Sequence, residues 1–497
     1  MTITLNLQSE SLDEGQTIEA GAILASHSDS RRRALTKFAV YDNGADGGQF
    51  ELNGVSLSDG QWHRLTAAQV AKLDYVAGPG VGSETLEFKA YDGAWSRAYS
   101  TTVSTVASPN ANIVSLFADP GIAADVGNLM ANDSLSYDAM LTVLQDAAVG
   151  GMTSTKFSTL QTLASLLNAP NGIAVSSYVQ QIADDVIDGN SANAQWNGGA
   201  SSAVALGDLT SASSQTQANE LIGKWFLGAD LPSLDLSGIG EQNLNPTYAA
   251  DTAPLFGASG APNYLDVNQG YLGDCYFMSS LGETALQDPA AIESMISSNG
   301  NGTDSVRFYV DGVADYVTVN DDLPVMAQGY SWADGSNLEF ANGATSWVPL
   351  IEKAFVELNE QTNAAEAGGH PAGNAYEDIN GGTSAALTEL TNQSVDTYNL
   401  SSGTSSTTLN AILSTLAADW SSGDELLMST PNASNGNLVG DHMYEVTGVN
   451  LAAGTVSVQN PWNTAYSGSI AMSFTDTIKQ LANDGCALYA TTGHAVA

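Results

Sequence analysis

The sequence predicts a multidomain chain. An all-β sandwich over residues 1–107 comes first, an α-helical bundle over 108–230 next, and a mixed α/β domain over 262–497 follows a linker at 231–261. Three observations predict this order. Short alternating runs between Gly, Asn and Asp turns mark the first part, and apolar residues three and four apart mark the second. A helical pattern followed by strand-like runs marks the third. The length of 497 residues agrees with about three domains.

The strand runs of the first part are TITLNL, KFAVYDNG, QFELNG, ETLEFKAYDG and TTVSTV, at the spacing of a small sandwich. VYDNGADGGQFELNGV with LTAAQVAKLDYVAGPG and ETLEFKAYDG resembles the cadherin-like or Ig-like repeats of large secreted bacterial proteins. The resemblance implies a spacer or adhesion module with a cell-surface or extracellular partner. Arg31-Arg32-Arg33 reads as a solvated turn, with a docking patch as the sharper alternative.

The second part reads as helices. Tyr137, Met140, Leu141, Leu144 and Ala148 follow helical spacing behind a Ser136 cap. Phe157, Leu160, Ala164 and Leu167 form a second stripe, ended near Asn168 and Pro170. Tyr178, Ile182 and Val186 form a third, and Leu221 and Trp225 belong to a fourth. Such stripes are core residues, and no ligand motif accompanies them. A Ser-, Gly- and Pro-rich passage follows as the linker.

Charge bounds the function. Lys and Arg total 13 and Asp and Glu 54, a net −41, while charged residues make up only 13% against a usual ~25%. The bias comes from scarce bases. That speaks against nucleic acid and anionic membrane surfaces as partners. Hydrophobic residues at 43% and aromatic residues at 8% suffice for packed cores. Residues 1–100 hold eight bases and 13 acids, and the rest holds five bases and 41 acids. The plain reading of the surplus is solubility and self-repulsion. The sharper one is that some carboxylates bind divalent cations. The two cysteines, Cys275 and Cys486, do not make a disulfide scaffold. The start MTITLNLQSE shows no basic, apolar signal pattern, and no run of ~20 apolar residues suggests a membrane span.

The third part carries the chemistry. In NQGYLGDCYFMSSLGETALQD, helical spacing follows Cys275 and stops at Asp288-Pro289. Cys275 is expected at a helix N-terminus, where free amides and the dipole favour a thiolate. Gly270 and Gly273 allow close approach of a substrate. Gln269, six positions earlier, could offer its amide to an oxyanion, with the Cys275 N–H as the second donor.

A nucleophile needs a base, and the chain has five His. His27 and His63 lie in the β module and His494 near the end, leaving His370 and His442. His442 begins a strand-like run, and TVSVQN follows the turn at NLAAG. A hairpin turning near Leu451 would pair positions summing to about 902, and His442 with Asn460 meets that sum. The Asn460 amide would then orient the imidazole, the third-group role in nucleophile–base pairs. Trp462 would shield that bond from water.

QGYLGDCYF resembles the nucleophile motif of calpains, papain-like cysteine proteases. DHMYEVTGV resembles their His motif and QNPWN their Asn-Pro-Trp motif. DGVADYVTVNDDLPV, SWVPLIEKAFVELNE and EDINGGTSAALTEL resemble the segments between, so the likeness covers roughly 262–490 in family order. It implies a two-lobed α/β protease core, with Cys275 on the helical lobe and His442 and Asn460 on the β lobe. It implies Cys275 as nucleophile, His442 as general base and acid, Asn460 as orienter and Gln269 as oxyanion donor. Gly273 and Trp462 would line the substrate cleft. Where the family usually has Gly, this chain has Asp441 before the His and Asn463 after the Trp, and Tyr276 replaces a commoner Trp. Asp441 is expected to favour the imidazolium.

The resemblance also raises calcium as a cofactor. Asp266, nine residues before Cys275, matches an acidic calcium-ligand position of the family. Its usual Glu partner, two residues before the helix Trp, is Thr345 here, two before Trp347. Asp321 and Asp322 are second-lobe candidates. No EF-hand loop follows. The implied function is a cysteine endopeptidase acting on protein or peptide substrates. The alternatives are a catalytically silent adhesion or scaffold protein and a Cys-His acyl transferase. The expected location is secreted or cell-surface, without a cleaved N-terminal signal, with the cytoplasm as the alternative.

Overall fold

The computed structural model describes all residues except 1–2, 14, 30–34, 107–108, 171, 240–245, 271, 326–344, 362–372, 432–437, 464–469 and 493–497. Arg31-Arg32-Arg33, His370 and His494 lie outside the described residues. The chain forms two compact units, Met1–Phe117 and Ala118–Ala497.

Met1–Phe117 contains two principal sheets. The first has five strands in the order Glu10–Asp13, Tyr99–Val106, Gly82–Tyr91, Lys37–Asp42, His63–Thr66. Its pairs are antiparallel except Glu10–Asp13 with Tyr99–Val106, which is parallel. The second has four strands, Thr17–Glu19, Leu73–Val76, Gln49–Leu52 and Val55–Ser56 in spatial order. Alternation along Gly82–Tyr91 turns Leu86, Phe88 and Ala90 inward. Phe50 of the second sheet meets Phe88 of the first edge-on at 5.8 Å, and also meets Tyr75 at 5.4 Å. These rings tie the two sheets into one core.

In Ala118–Ala497 the helices Pro120–Leu129, Tyr137–Ala148, Ser154–Leu167, Ser177–Ile187 and Gln215–Leu227 come first. Asp119, Ser136, Thr153, Ser176 and Ser214 each cap one of them by accepting a backbone N–H. The helices share their unit with the C-terminal half because their polar tips bond to it. Tyr178 Oη lies 2.7 Å from Thr318 Oγ1, whose hydroxyl donates to Trp225 O at 2.6 Å. Gln181 Nε2 donates to Asp315 Oδ1 at 2.6 Å. Lys224, buried, pairs with Asp230 at 2.6 Å and Glu360 at 2.7 Å.

The C-terminal half is built on two hydrophobic clusters. One gathers the helices Cys275–Gln287, Pro289–Met295, Trp347–Gln361 and Ala385–Thr391 with the three-stranded sheet Ile296–Ser298, Thr303–Val310, Val313–Asn320. Phe277 stacks on Phe355 at 3.9 Å within it. The other cluster lies between a six-stranded sheet and the helices Ser406–Ser422 and Ile478–Asp484. Its strand order is Ser394–Asn399, Ala487–Thr492, Leu426–Ser429, Met443–Asn450, Thr455–Gln459, Ser473–Thr477. No helix among the described residues is long and apolar enough to cross a membrane.

Candidate active site

Cys275 is the first residue of the helix Cys275–Gln287, as the sequence predicts. The helix lies against the strand Met443–Asn450, and Ser279 Oγ donates to Met443 O at 3.0 Å. This contact brings half-buried Cys275 beside the residue that follows His442. Its thiol departs from the expected thiolate. Burial pushes the Cys275 thiol up to about 12, against the pull of the Met443 and Tyr276 N–H groups, and the Asp274 and Asp441 charges push the same way as burial. Burial is the largest of these influences on the thiol.

His442 sits between the rings of Tyr444 and Trp462, with centroids at 5.0 and 4.9 Å. Its Nε2 lies 3.0 Å from Asn460 Oδ1. The Trp462 backbone N–H donates to the same Oδ1 at 3.0 Å. An N–H can only donate, so that atom is the amide oxygen and not its nitrogen. The His442 partner must therefore be an Nε2–H, which leaves the neutral ring's lone pair on Nδ1. Burial lowers the His442 pKa to about 4, more than the Asn460 bond raises it. Asp441 acts on the thiol and not on the imidazole, so the expected push towards imidazolium is not found. Among the described residues no hydrogen bond joins Cys275 to the His442 ring.

The hairpin register differs from the expected sum of 902. Glu445 pairs with Gln459 and Val446 with Val458, giving 904, and a bulge moves Gly448 to Ser457, giving 905. The turn spans the four residues 451–454. His442 and Asn460 lie one residue beyond the strand ends, and their side chains close the distance. Asp441 and Asn463, where the resemblance leads one to expect Gly, have φ of 55° and 45°. Asp and Asn are among the non-Gly residues that best tolerate this left-handed conformation, so the turns keep their shape.

Gln269 is placed differently from expectation. Its Nε2 donates to Leu272 O at 2.7 Å and Asp274 Oδ1 at 3.2 Å, so both amide hydrogens are engaged inside the loop. Gly273 donates its N–H to Asn380 Oδ1 at 2.9 Å and accepts from Gly381 N at 2.8 Å. A Cβ on Gly273 would stand 2.6 Å from that Asn380 oxygen, so only Gly fits this approach. Trp462 is half-buried against His442, consistent with the expected shielding.

Asp266 does not fit a calcium ion. Its Oδ2 accepts from the Trp347 indole at 2.9 Å and from Asn263 N at 3.0 Å. Thr345, buried, supplies no carboxylate. At the Asp321-Asp322 turn a positive charge is already delivered by Lys353, whose buried Nζ donates to Asn320 O, Asn320 Oδ1 and Asp322 O. Among the described residues no group of three or more His, Cys, Asp and Glu is arranged to hold a metal ion.

Several contributors escaped the sequence reading. Asn463 Nδ2 donates to Leu265 O at 2.8 Å and Val267 O at 3.2 Å, and Gln269 N donates to Pro461 O at 2.8 Å. These bonds fasten the Asn-Pro-Trp turn to the loop before Cys275. Tyr276 Oη donates to Ile379 O at 3.2 Å, so the Asn380-Gly381 turn braces the same loop. Only the polar residue at a turn, Asn463, carried any local signal of such a role.

Residues 246–477 match the model of the calpain family of cysteine proteases. The calpain-type cysteine protease ADL1 of Oryza sativa subsp. japonica is 29% identical over 217 residues, 41% of this chain and 9% of that protein. Calpain-13 of Rattus norvegicus is 25% identical over 273 residues, 51% of this chain and 36% of its own length. Calpain clp-4 of Caenorhabditis elegans is 31% identical over 157 residues, 30% of this chain and 19% of its own length. The chain thus spans at most about a third of the length of these curated relatives. Residues 246–477 are a calpain-like cysteine protease core.

Proposed function

We propose that the chain is a cysteine endopeptidase acting through Cys275, His442 and Asn460. The observation that carries the reading is the Asn460 oxygen, shared by the Trp462 N–H and His442 Nε2. It fixes the tautomer that leaves Nδ1 able to accept a proton. In the proposed cycle the Cys275 proton passes to His442 Nδ1 as Sγ attacks a peptide carbonyl carbon. The charge on the resulting oxyanion is met by the Cys275 N–H, one of the first-turn amides without an intrahelical acceptor. Gln269 would join only after releasing Leu272 O or Asp274. The Nδ1 proton then goes to the leaving amine as the C–N bond breaks, giving a thioester. Water, deprotonated by His442, attacks the thioester, and the acid leaves as Cys275 regains its proton. No step is assigned to calcium.

The test compares the intact protein with Cys275→Ala and Asn460→Ala on casein, with self-cleavage followed by mass spectrometry. Cys275→Ala is expected to abolish turnover with the fold retained. Asn460→Ala is expected to lower kcat/KM about a hundredfold, a typical general acid–base contribution. Cleavage that persists in Cys275→Ala would sink the proposal. The raised thiol and the missing Cys275–His442 bond favour a second reading, a silent protease fold. A Cys275 that resists a thiol-directed epoxide at every pH would support it.

A further inference from the structure

One face of the five-stranded sheet in Met1–Phe117 is chemically unlike the composition of the chain. Lys37 stands opposite Tyr91 on one side and Thr66 on the other, and Ala39 stands opposite Lys89 and Arg64. Residues paired across strands point to the same side. Lys37, Arg64, Lys89 and Tyr91 therefore share the face opposite Phe38, Val40 and Phe88, which fill the core. Trp95 folds back onto Tyr91, with ring centroids at 5.3 Å. Trp62 lies 5.5 Å from the ring of Tyr41. Each base stands over a ring: Lys89 over Trp62 at 3.8 Å, Arg64 over Trp95 at 5.5 Å and Lys37 over Tyr91 at 5.6 Å. In a chain with 54 acids and 13 bases, these three bases have no ion pair among the described residues.

The face is concave. Lys37, Arg64, Thr66, Gln69, Tyr91 and Trp95 line a cavity of about 500 Å³ above Leu65. Thr66 and Gln69 bond to one another through the Gln69 Oε1, which leaves the Gln69 Nε2 hydrogens for a ligand.

We propose that this pocket binds an anionic saccharide, a short oligosaccharide bearing carboxylate or sulfate groups. In this proposal Arg64 and Lys37 turn from the Trp95 and Tyr91 rings to the anionic groups of the ligand, and the uncovered ring surface takes the C–H face of a pyranose. The Gln69 amide suits a hydroxyl. The size lies within the range of small-ligand sites. The other candidate ligands fit less well. A neutral sugar would leave two cations unused, and an acidic peptide would not need the ring faces. A nucleic acid would find only the few bases of this face to neutralise its many phosphates. The inference is independent of the protease reading.

The experiment is calorimetric titration of the full-length chain with trigalacturonate, a heparin-derived tetrasaccharide, cellotriose, a glutamate oligopeptide and oligothymidylate. We expect trigalacturonate or the heparin fragment to bind saturably, the two arms separating carboxylate from sulfate recognition, and cellotriose not to bind. Trp95→Ala and the double variant Lys37→Gln/Arg64→Gln should each weaken binding about tenfold or more, a loss of ~1.4 kcal/mol. Lys72→Gln, an exposed base that does not line the cavity, should leave it unchanged. All these positions are exposed or half-buried, and circular dichroism checks that the fold is kept. Binding of neither acidic saccharide overturns the proposal. So does binding that survives Trp95→Ala, or equal binding of the peptide or the oligonucleotide through the same residues.

Discussion

At the residue scale, the site is a contest between burial and local charge. A thiol at a helix N-terminus is expected to ionise readily, yet Cys275 is pushed up to about 12 and His442 down to about 4. At neutral pH the resting pair is thiol and neutral imidazole, so in the proposed cycle the proton moves after substrate arrives. Two measurements follow from the signs. Alkylation of Cys275 by iodoacetamide in the free protein should be slow at pH 7 and rise about tenfold per pH unit in the alkaline range, as the thiolate fraction does. His442 has a depressed pKa and stays neutral until pH falls towards 4, so the acid limb of kcat/KM should lie nearer 4 than 6.5. A rate of alkylation that is already maximal at pH 7 would contradict this account. The place of Cys275 at a helix start and of Asn460 beside His442 was legible in the sequence because their neighbours have a recognisable local pattern. The direction of the pKa shifts was not, because it depends on what packs around the sulfur and the ring.

At the element scale, the helix Cys275–Gln287 and the strand Met443–Asn450 form a tight contact, and that contact encloses a pair of buried carboxyls. Glu283 and Glu445 are both buried, and burial raises both carboxyls well above their ordinary range. Glu283 accepts from Leu426 N at 3.0 Å and faces the charge of Glu425, and Glu445 faces Glu283. A Cβ on Gly282 would collide with the Glu445 carboxylate, so the helix can approach only because it has Gly there. For a carboxyl with a raised folded pKa, the native state holds its proton longer than the unfolded chain does. The stability contributed by such a carboxyl is greatest below about pH 4 and falls as pH rises. Glu445→Gln should therefore raise the melting temperature by a few degrees at pH 8, with the gain shrinking towards pH 4. A gain that is the same at both pH values would refute the assignment. At this scale the sequence reading was close but not complete. The Ser136 cap and the helix after Cys275 form as expected. The hairpin register shifted by two because a four-residue turn and a bulge at Val446–Gly448 leave no pattern in hydrophobicity.

At the scale of the whole molecule, the division of the chain follows polar contacts that composition does not display. The apolar stripes of the early helices read as a self-contained bundle. The structure adds Tyr178, Gln181 and Lys224, which reach the C-terminal sheet and helices and make one unit of Ala118–Ala497. Buried Lys224 offers the sharpest test. Lys224→Met would leave Asp230 and Glu360 buried without their cation, a loss of about 3–5 kcal/mol for a broken buried pair. A thermal scan should show the transition of this unit lowered, with that of Met1–Phe117 unmoved. Two transitions that shift together would argue that the units unfold as one.

The five bases of Ala118–Ala497 are Lys156, Lys224, Arg307, Lys353 and Lys479. Lys224 and Lys353 are buried, Lys156 is bonded to the carbonyls of Ala147 and Val149, Arg307 to Ser294 and Lys479 to Ser402 O. Trypsin and its relatives cut after such residues and must first pull the side chain and its backbone into an extended form. In nearly four hundred residues this unit gives them five places to cut, and every one is fastened. An enzyme of that type finds few bonds to attack, so the folded unit should resist proteases that cut after Lys or Arg, whatever its sensitivity to others.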